Sequence, residues 1–171
     1  MLPHPRSVEY LRARKSKFCY HFVSEHTPEE RTHLHEELLK SDDVRLFTGG
    51  GCHVFALALH DRFNYPVHYI PGHGGKGVSH IYCQVAGTPN YAVDVLGFTP
   101  EEDRVWKDFG SVCRVTPVIS REKLLSLFKQ LPQDGGMCGA DWFVHPARQR
   151  AELRIDRFWD VFSGKRKERI G

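Results

Sequence analysis

The chain reads as an α+β protein, with a buried helix laid on an antiparallel sheet and further helices before and after it. Three observations lead there. An apolar helical stretch, Cys52-His-Val-Phe-Ala-Leu-Ala-Leu59, follows the glycine run 49–51. Two segments of alternating pattern, 78–85 and 91–96, are joined by Ala86-Gly-Thr-Pro-Asn90, a hairpin spacing. Helix-start signals stand on both sides of that pair. Strands adjacent in sequence, with helices kept to either side, indicate α+β rather than an alternating parallel sheet.

The elements follow in order. Thr27-Pro-Glu-Glu30 has the form of an N-cap, a proline at the first helical position and a capping-box glutamate. Leu34, Leu38 and Leu39 give that helix an apolar stripe to about Ser41. Residues 42–51 read as a connector ending in the glycines. A helix from Cys52 to about Arg62 comes next, with Cys52, Phe55, Ala56, Leu59 and Phe63 on one face. Residues 66–70 form a short strand. The loop 71–77 carries four glycines and cannot hold regular structure.

In strand 78–85, alternation puts Ser79, Ile81 and Cys83 on one face and His80, Tyr82 and Gln84 on the other. In strand 91–96, Val93 and Val95 oppose Ala92, Asp94 and Leu96. Thr99-Pro-Glu-Glu102 repeats the helix-start chemistry and opens a short helix through Trp106. Residues 112–118 read as a strand. Ser120 starts a helix carrying Leu124, Leu127, Phe128 and Leu131; residues 133–139 are a loop. A last helix from about Pro146 holds Leu153, Ile155, Phe158, Trp159 and Phe162. Trp142, Trp159 and the phenylalanines there are core rather than a ligand platform.

The length of 171 residues suits a single domain, 1–171, with its core over about 42–131 and basic ends. Hydrophobic residues make up 40%, which excludes a disordered chain. No apolar run approaches the ~20 residues that span a bilayer, and the N-terminus lacks a signal-peptide apolar region. The expectation is a cytoplasmic protein without a membrane partner, or an effector exported without such a peptide. Five cysteines, an odd count with no CxxC pair, argue for free thiols over a disulfide framework.

The chemistry concentrates at Cys52. The first turn of a helix offers N–H groups with no intrahelical partner and the positive end of the macrodipole. A thiol placed there loses its proton more readily, and the thiolate is the nucleophile. His80 and Asp94 follow on the two strands, giving a nucleophile, a base and an orienter. His53 points about 100° away from Cys52 around the helix and is a poorer base. His68 and His73 are further rivals to His80. A zinc site through Cys52, His53, His73, His80 and Cys83 is disfavoured, because His80 and Cys83 point to opposite strand faces. No metal or other cofactor is expected. Gly72-His-Gly-Gly-Lys-Gly77 shares only composition with a phosphate loop; its lysine precedes glycine, not serine or threonine at a helix start.

Gly51-Cys52 with its apolar helix, Ser79-His80 and Val93-Asp94-Val95 resemble, in that order, the papain-like thiol superfamily in its broad sense. That superfamily includes transglutaminase-like and NlpC/P60-like hydrolases. The resemblance covers about residues 49–97. It implies a papain-like core in which the nucleophile helix packs on an antiparallel sheet. It also implies a cysteine-dependent amide hydrolase or acyl-transfer enzyme of protease, deamidase or transglutaminase type, working through a thioester. Cys52, His80 and Asp94 would form its triad. The Cys52 N–H is one oxyanion donor. Thr48 or another loop group would be the second donor, Thr48, Gly50, Gly51 and His53 belonging with Gly74 and Gly75 to the oxyanion and substrate loops, and the loop with Gly74 and Gly75 is a candidate flap over the thiol. A protein or peptide substrate follows from this reading. The alternatives are a binding module that keeps the fold without turnover, and a nucleic-acid-associated protein using the basic segments 12–17 and 165–169.

Overall fold

The computed structural model describes residues 42–48, 50–72, 77–108, 117–130 and 141–164. The expected helix after Thr27, most of strand 112–118, the loop 133–139 and both basic segments lie outside the described residues. Within them the protein is α+β. The helices are α1 (Asp42–Thr48), α2 (Cys52–Phe63), α3 (Arg121–Gln130), α4 (Asp141–Arg157) and α5 (Trp159–Ser163). The strands are β1 (Val67–Pro71), β2 (Val78–Val85), β3 (Tyr91–Asp94), β4 (Gly97–Pro100) and β5 (Val118–Ile119), and a π-helix covers Glu102–Asp108. The sheet order is β4-β3-β2-β1-β5, and every pairing is antiparallel.

The central element is α2. Residues 53–59 are all buried, so this stretch of the helix is enclosed on every side, and only its last turn, at Asp61 and Arg62, is exposed. It packs on β2 and is flanked by α1 and α4. Gly51 is its N-cap and makes no side-chain cap bond. A Cβ at Gly51 would lie 3.0 Å from the Leu46 carbonyl oxygen and 3.1 Å from a Phe47 ring carbon, so the approach of α1 to α2 needs a residue with no side chain. At the other end Asn64 takes the left-handed conformation, and its N–H donates to the His60 carbonyl at 2.7 Å.

Two apolar clusters flank the sheet. The larger joins α2 to Val67, Ile81, Cys83 and Val93, and the Phe55 ring of α2 meets Phe47 at a tilt and Phe162 edge-on. The Cys83 thiol donates to the Ala56 carbonyl at 3.3 Å across that interface. The smaller cluster holds Ile70, Tyr82, Ala92 and, from the π-helix, Val105. The alternation expected for β2 and β3 therefore separates two packed layers.

Four expectations are corrected. Residues 42–48 form a helix, not a connector. Val44, Phe47 and Thr48 recur at helical spacing and are buried, and that burial stabilises a segment too short and acidic to declare itself. The segment 91–96 is a four-residue strand and a turn: β3 ends at Asp94, Val95 and Leu96 turn, and β4 returns, pairing Asp94 with Gly97. Gly97, at φ 85°, supplies the positive φ such a tight return requires. Thr99 and Pro100 consequently belong to β4, and the helical segment begins after them. The last helix begins at Asp141, with Pro146 inside it. It breaks at Phe158, which leaves the helical conformation (φ −113°, ψ 39°) and serves as the N-cap of α5.

Candidate functional site

β2 and β3 carry His80 and Asp94. His80 lies near the start of β2, opposite Ile70 of β1. Asp94 is the last residue of β3, at the hairpin corner. Both face the side occupied by Tyr82 and Ala92, and they meet diagonally across the strands. His80 Nε2 is 2.8 Å from Asp94 Oδ2, and the residues are 3% and 4% exposed. The His80 ring also stacks on Tyr82, with centroids 6.2 Å apart and planes 12° from parallel.

Asp94 has two further partners. Its Oδ1 accepts the Leu96 N–H at 2.9 Å, which shapes the β3–β4 turn. Its Oδ2 also accepts from Arg104 Nε at 2.7 Å and Nη2 at 2.6 Å. Arg104 comes from the π-helix and is 2% exposed. Burial alone would oppose ionisation of Asp94. The Arg104 guanidinium, the His80 hydrogen bond and the Leu96 N–H outweigh it and hold the carboxyl well below its ordinary 3.8. An ionised carboxylate only accepts, so the shared proton resides on His80 Nε2 and the neutral ring keeps Nδ1 as its basic nitrogen.

Behind this pair is a second set of bonds. Tyr82 donates its hydroxyl to Glu101 Oε1 at 2.6 Å, and Gln84 Nε2 donates to the same oxygen at 2.8 Å. Glu101 immediately precedes the π-helix, so these bonds tie β2 to the segment that delivers Arg104.

Cys52 opens α2 and is half-buried against the larger cluster. Its helix leads through residues 64–66 into β1, which pairs antiparallel with β2. The middle of α2 packs on the Ile81–Cys83 side, whereas His80 leaves β2 on the other. A thiol–imidazole contact would have to be made around the end of β2, not across its face. Cys83 is fully buried, and burial, then the Asp94 charge, pushes its thiol pKa far up. That makes it a core residue.

The remaining residues of the expected site fall in three places. Thr48 is buried at the end of α1 and donates its hydroxyl to the Val44 carbonyl at 2.6 Å. Gly50 and Gly51 link α1 to α2, Gly50 at φ 135°, and His53 is buried in the first turn of α2. Gly74 and Gly75, with His73, lie outside the described residues. Of the rival bases, His68 is buried beside Tyr82 at a centroid distance of 5.8 Å.

Sequence reasoning missed Arg104 and Glu101. Both sit in the charged run Glu101-Glu-Asp-Arg104, which reads as a solvated surface. Among the described residues no group of three or more His, Cys, Asp or Glu is placed to hold a metal ion, and no helix is long and apolar enough to cross a membrane. No protein-family model, curated protein or solved structure matches this chain.

Proposed function

We propose that the protein is a cysteine-dependent amide hydrolase or acyl-transfer enzyme built on a papain-like core. The observation that carries this reading is the buried His80–Asp94 pair at 2.8 Å, on two strands that follow a helix opened by a half-buried cysteine. A histidine and a carboxylate removed from water are costly unless paired, and such pairs concentrate where proton transfer is needed.

In the proposed reaction His80 Nδ1 takes the Cys52 proton. The thiolate attacks the amide carbonyl carbon, and the oxyanion is held by N–H groups at the start of α2. The imidazolium then protonates the departing amine, leaving a thioester. Water attacks the thioester in hydrolysis, or a second amine in transfer, and the thiol is regenerated. Asp94 stays ionised throughout and stabilises the imidazolium. Peptide bonds, glutamine side chains and isopeptides share this chemistry and are the substrate classes proposed.

Iodoacetamide alkylation of Cys52 between pH 5 and 9 tests the reading. The wild type is expected to react at pH 6, and His80→Ala to return the apparent thiol pKa towards about 8.5. Identical profiles would remove His80 as the base. One observation favours a second reading, a binding module without turnover. Asp94 already serves the β3–β4 turn through Leu96 and pairs with Arg104, so its carboxylate has a structural occupation. A slow, ordinary thiol at Cys52 in the wild type decides for that module.

A further inference from the structure

We infer that Arg104 is a positioning residue: by gripping Asp94 Oδ2 through two nitrogens, it fixes the carboxylate that orients His80 and so sets which imidazole nitrogen exchanges protons. The inference deepens the function proposed above and rests on it for its catalytic meaning, though its structural content concerns His80 alone.

The geometry is specific. Arg104 Nε and Nη2 lie 2.7 and 2.6 Å from Asp94 Oδ2, the same oxygen that is 2.8 Å from His80 Nε2. The other oxygen is held by the Leu96 N–H. The carboxylate is thus fixed at both oxygens and has no freedom to rotate away from the ring. A guanidinium in a planar fork does this better than an ammonium, because two donors on one plate define an angle as well as a distance.

The element that brings Arg104 is itself unusual. The Glu102–Asp108 segment is a π-helix, a rare form that recurs frequently at functional sites. Arg104 and Val105 are adjacent yet both buried, Val105 against Tyr82 and Ala92. Glu101, bonded to Tyr82 and Gln84, anchors the start of that segment to β2. The strand that bears His80 therefore also fixes the origin of the residue that restrains its partner.

The charge has a second effect. Arg104 is a cation beside an imidazole that becomes a cation when protonated. It holds Asp94 ionised, but it also opposes the imidazolium that Asp94 favours. The titratable and charged groups set around His80 are Asp94 on β3, Arg104 on the π-helix, His68 on β1, and Tyr82 on its own strand with Glu101 behind it. Of these, Arg104 is the cation in contact with the orienting oxygen.

The experiment is long-range proton–nitrogen NMR of the imidazoles in the full chain, with His80 assigned through His80→Gln. The wild type is expected to hold His80 as the Nε2–H tautomer at neutral pH. Arg104→Met should raise the His80 pKa by about one unit or more, since a neighbouring like charge is removed, and should mix the tautomers. Arg104→Lys should restore most of the pKa while leaving the tautomers mixed, because one donor cannot set the angle. A purely structural Arg104 would lower stability in both variants and move neither signal. The proposal is overturned by an Nδ1–H tautomer in the wild type. It is equally overturned by unchanged tautomer and titration in Arg104→Met or, should that variant not fold, by an unchanged tautomer in Arg104→Lys. The Cys52 alkylation profile is measured in parallel. A profile insensitive to His80→Ala removes the thiol chemistry and leaves the His80 result standing.

Discussion

Asp94 and Asp61 each accept hydrogen bonds from arginine, yet they do so under opposite conditions. Asp61, near the end of α2, meets Arg121 at 2.8 Å and Arg148 at 3.0 Å, and its side chain is 24% exposed. Around it lie the Arg148–Glu152 and Arg62–Asp156 pairs, lining an open cleft of about 190 Å³ between α2 and α4. Asp94 meets Arg104 and His80 with every partner nearly dry. Water screens the first cluster and would solvate any group whose partner were lost. The second has no such recourse. Identical residue types thus make a tolerant surface in one place and an all-or-none assembly in the other. A fold has little reason to carry the second for stability alone, because well-packed apolar residues often serve as well there.

The comparison breaks first at Asp94→Ala. Leaving Arg104 and His80 buried without their carboxylate should cost about 3–5 kcal/mol in urea unfolding. A loss no greater than that of Asp61→Ala would mean that water reaches the cluster.

Acid sharpens the contrast next. The Asp94 carboxyl is depressed in the folded state, so its contribution is complete above its ordinary 3.8 and is lost as pH falls from there towards the folded value. Stability of the wild type should therefore fall with acidification below about pH 4, and that of Asp94→Asn should fall less steeply. Parallel acid limbs would show that the carboxyl is unperturbed.

Asp61→Ala is the third test, with an expected loss of less than about 1 kcal/mol despite two arginine partners. Burial works against ionisation of Asp61, while Arg121 and Arg148 lower its pKa. Partial exposure keeps the energetic return small. The smallest effect is that of salt. At 1 M, where the screening length is about 3 Å, the penalty for Asp61→Ala should shrink by a few tenths of a kcal/mol. The Asp94→Ala penalty should hold.

Much of what surrounds Asp94 was legible in the sequence, and the reasons differ by element. The α2 start was readable because three glycines precede an apolar run, and β2 because a run of strand-forming residues is bounded by glycine on both sides. His80 and Asp94 could be placed on neighbouring strands from the hairpin spacing. Their shared strand face followed from period two. The β3–β4 turn was hidden, since Val95 and Leu96 are apolar and buried, and only Gly97 hints at a reversal. α1 was hidden because it is only seven residues long and opens on two aspartates. Arg104 was hidden most completely. Its partner is ten residues away, and nothing local distinguishes an arginine that will enter the core from one that will stay in water.

One buried bond bears on how the molecule moves. The Cys83 thiol is sealed between β2 and α2, its proton directed at the Ala56 carbonyl. A reagent can reach that sulfur only when the helix separates from the strand. Cys83 is therefore an internal clock for the opening of this interface, read by the slow phase of thiol modification. The same separation would carry Cys52 away from the strand that bears His80, so the clock also times the integrity of the proposed site without touching it.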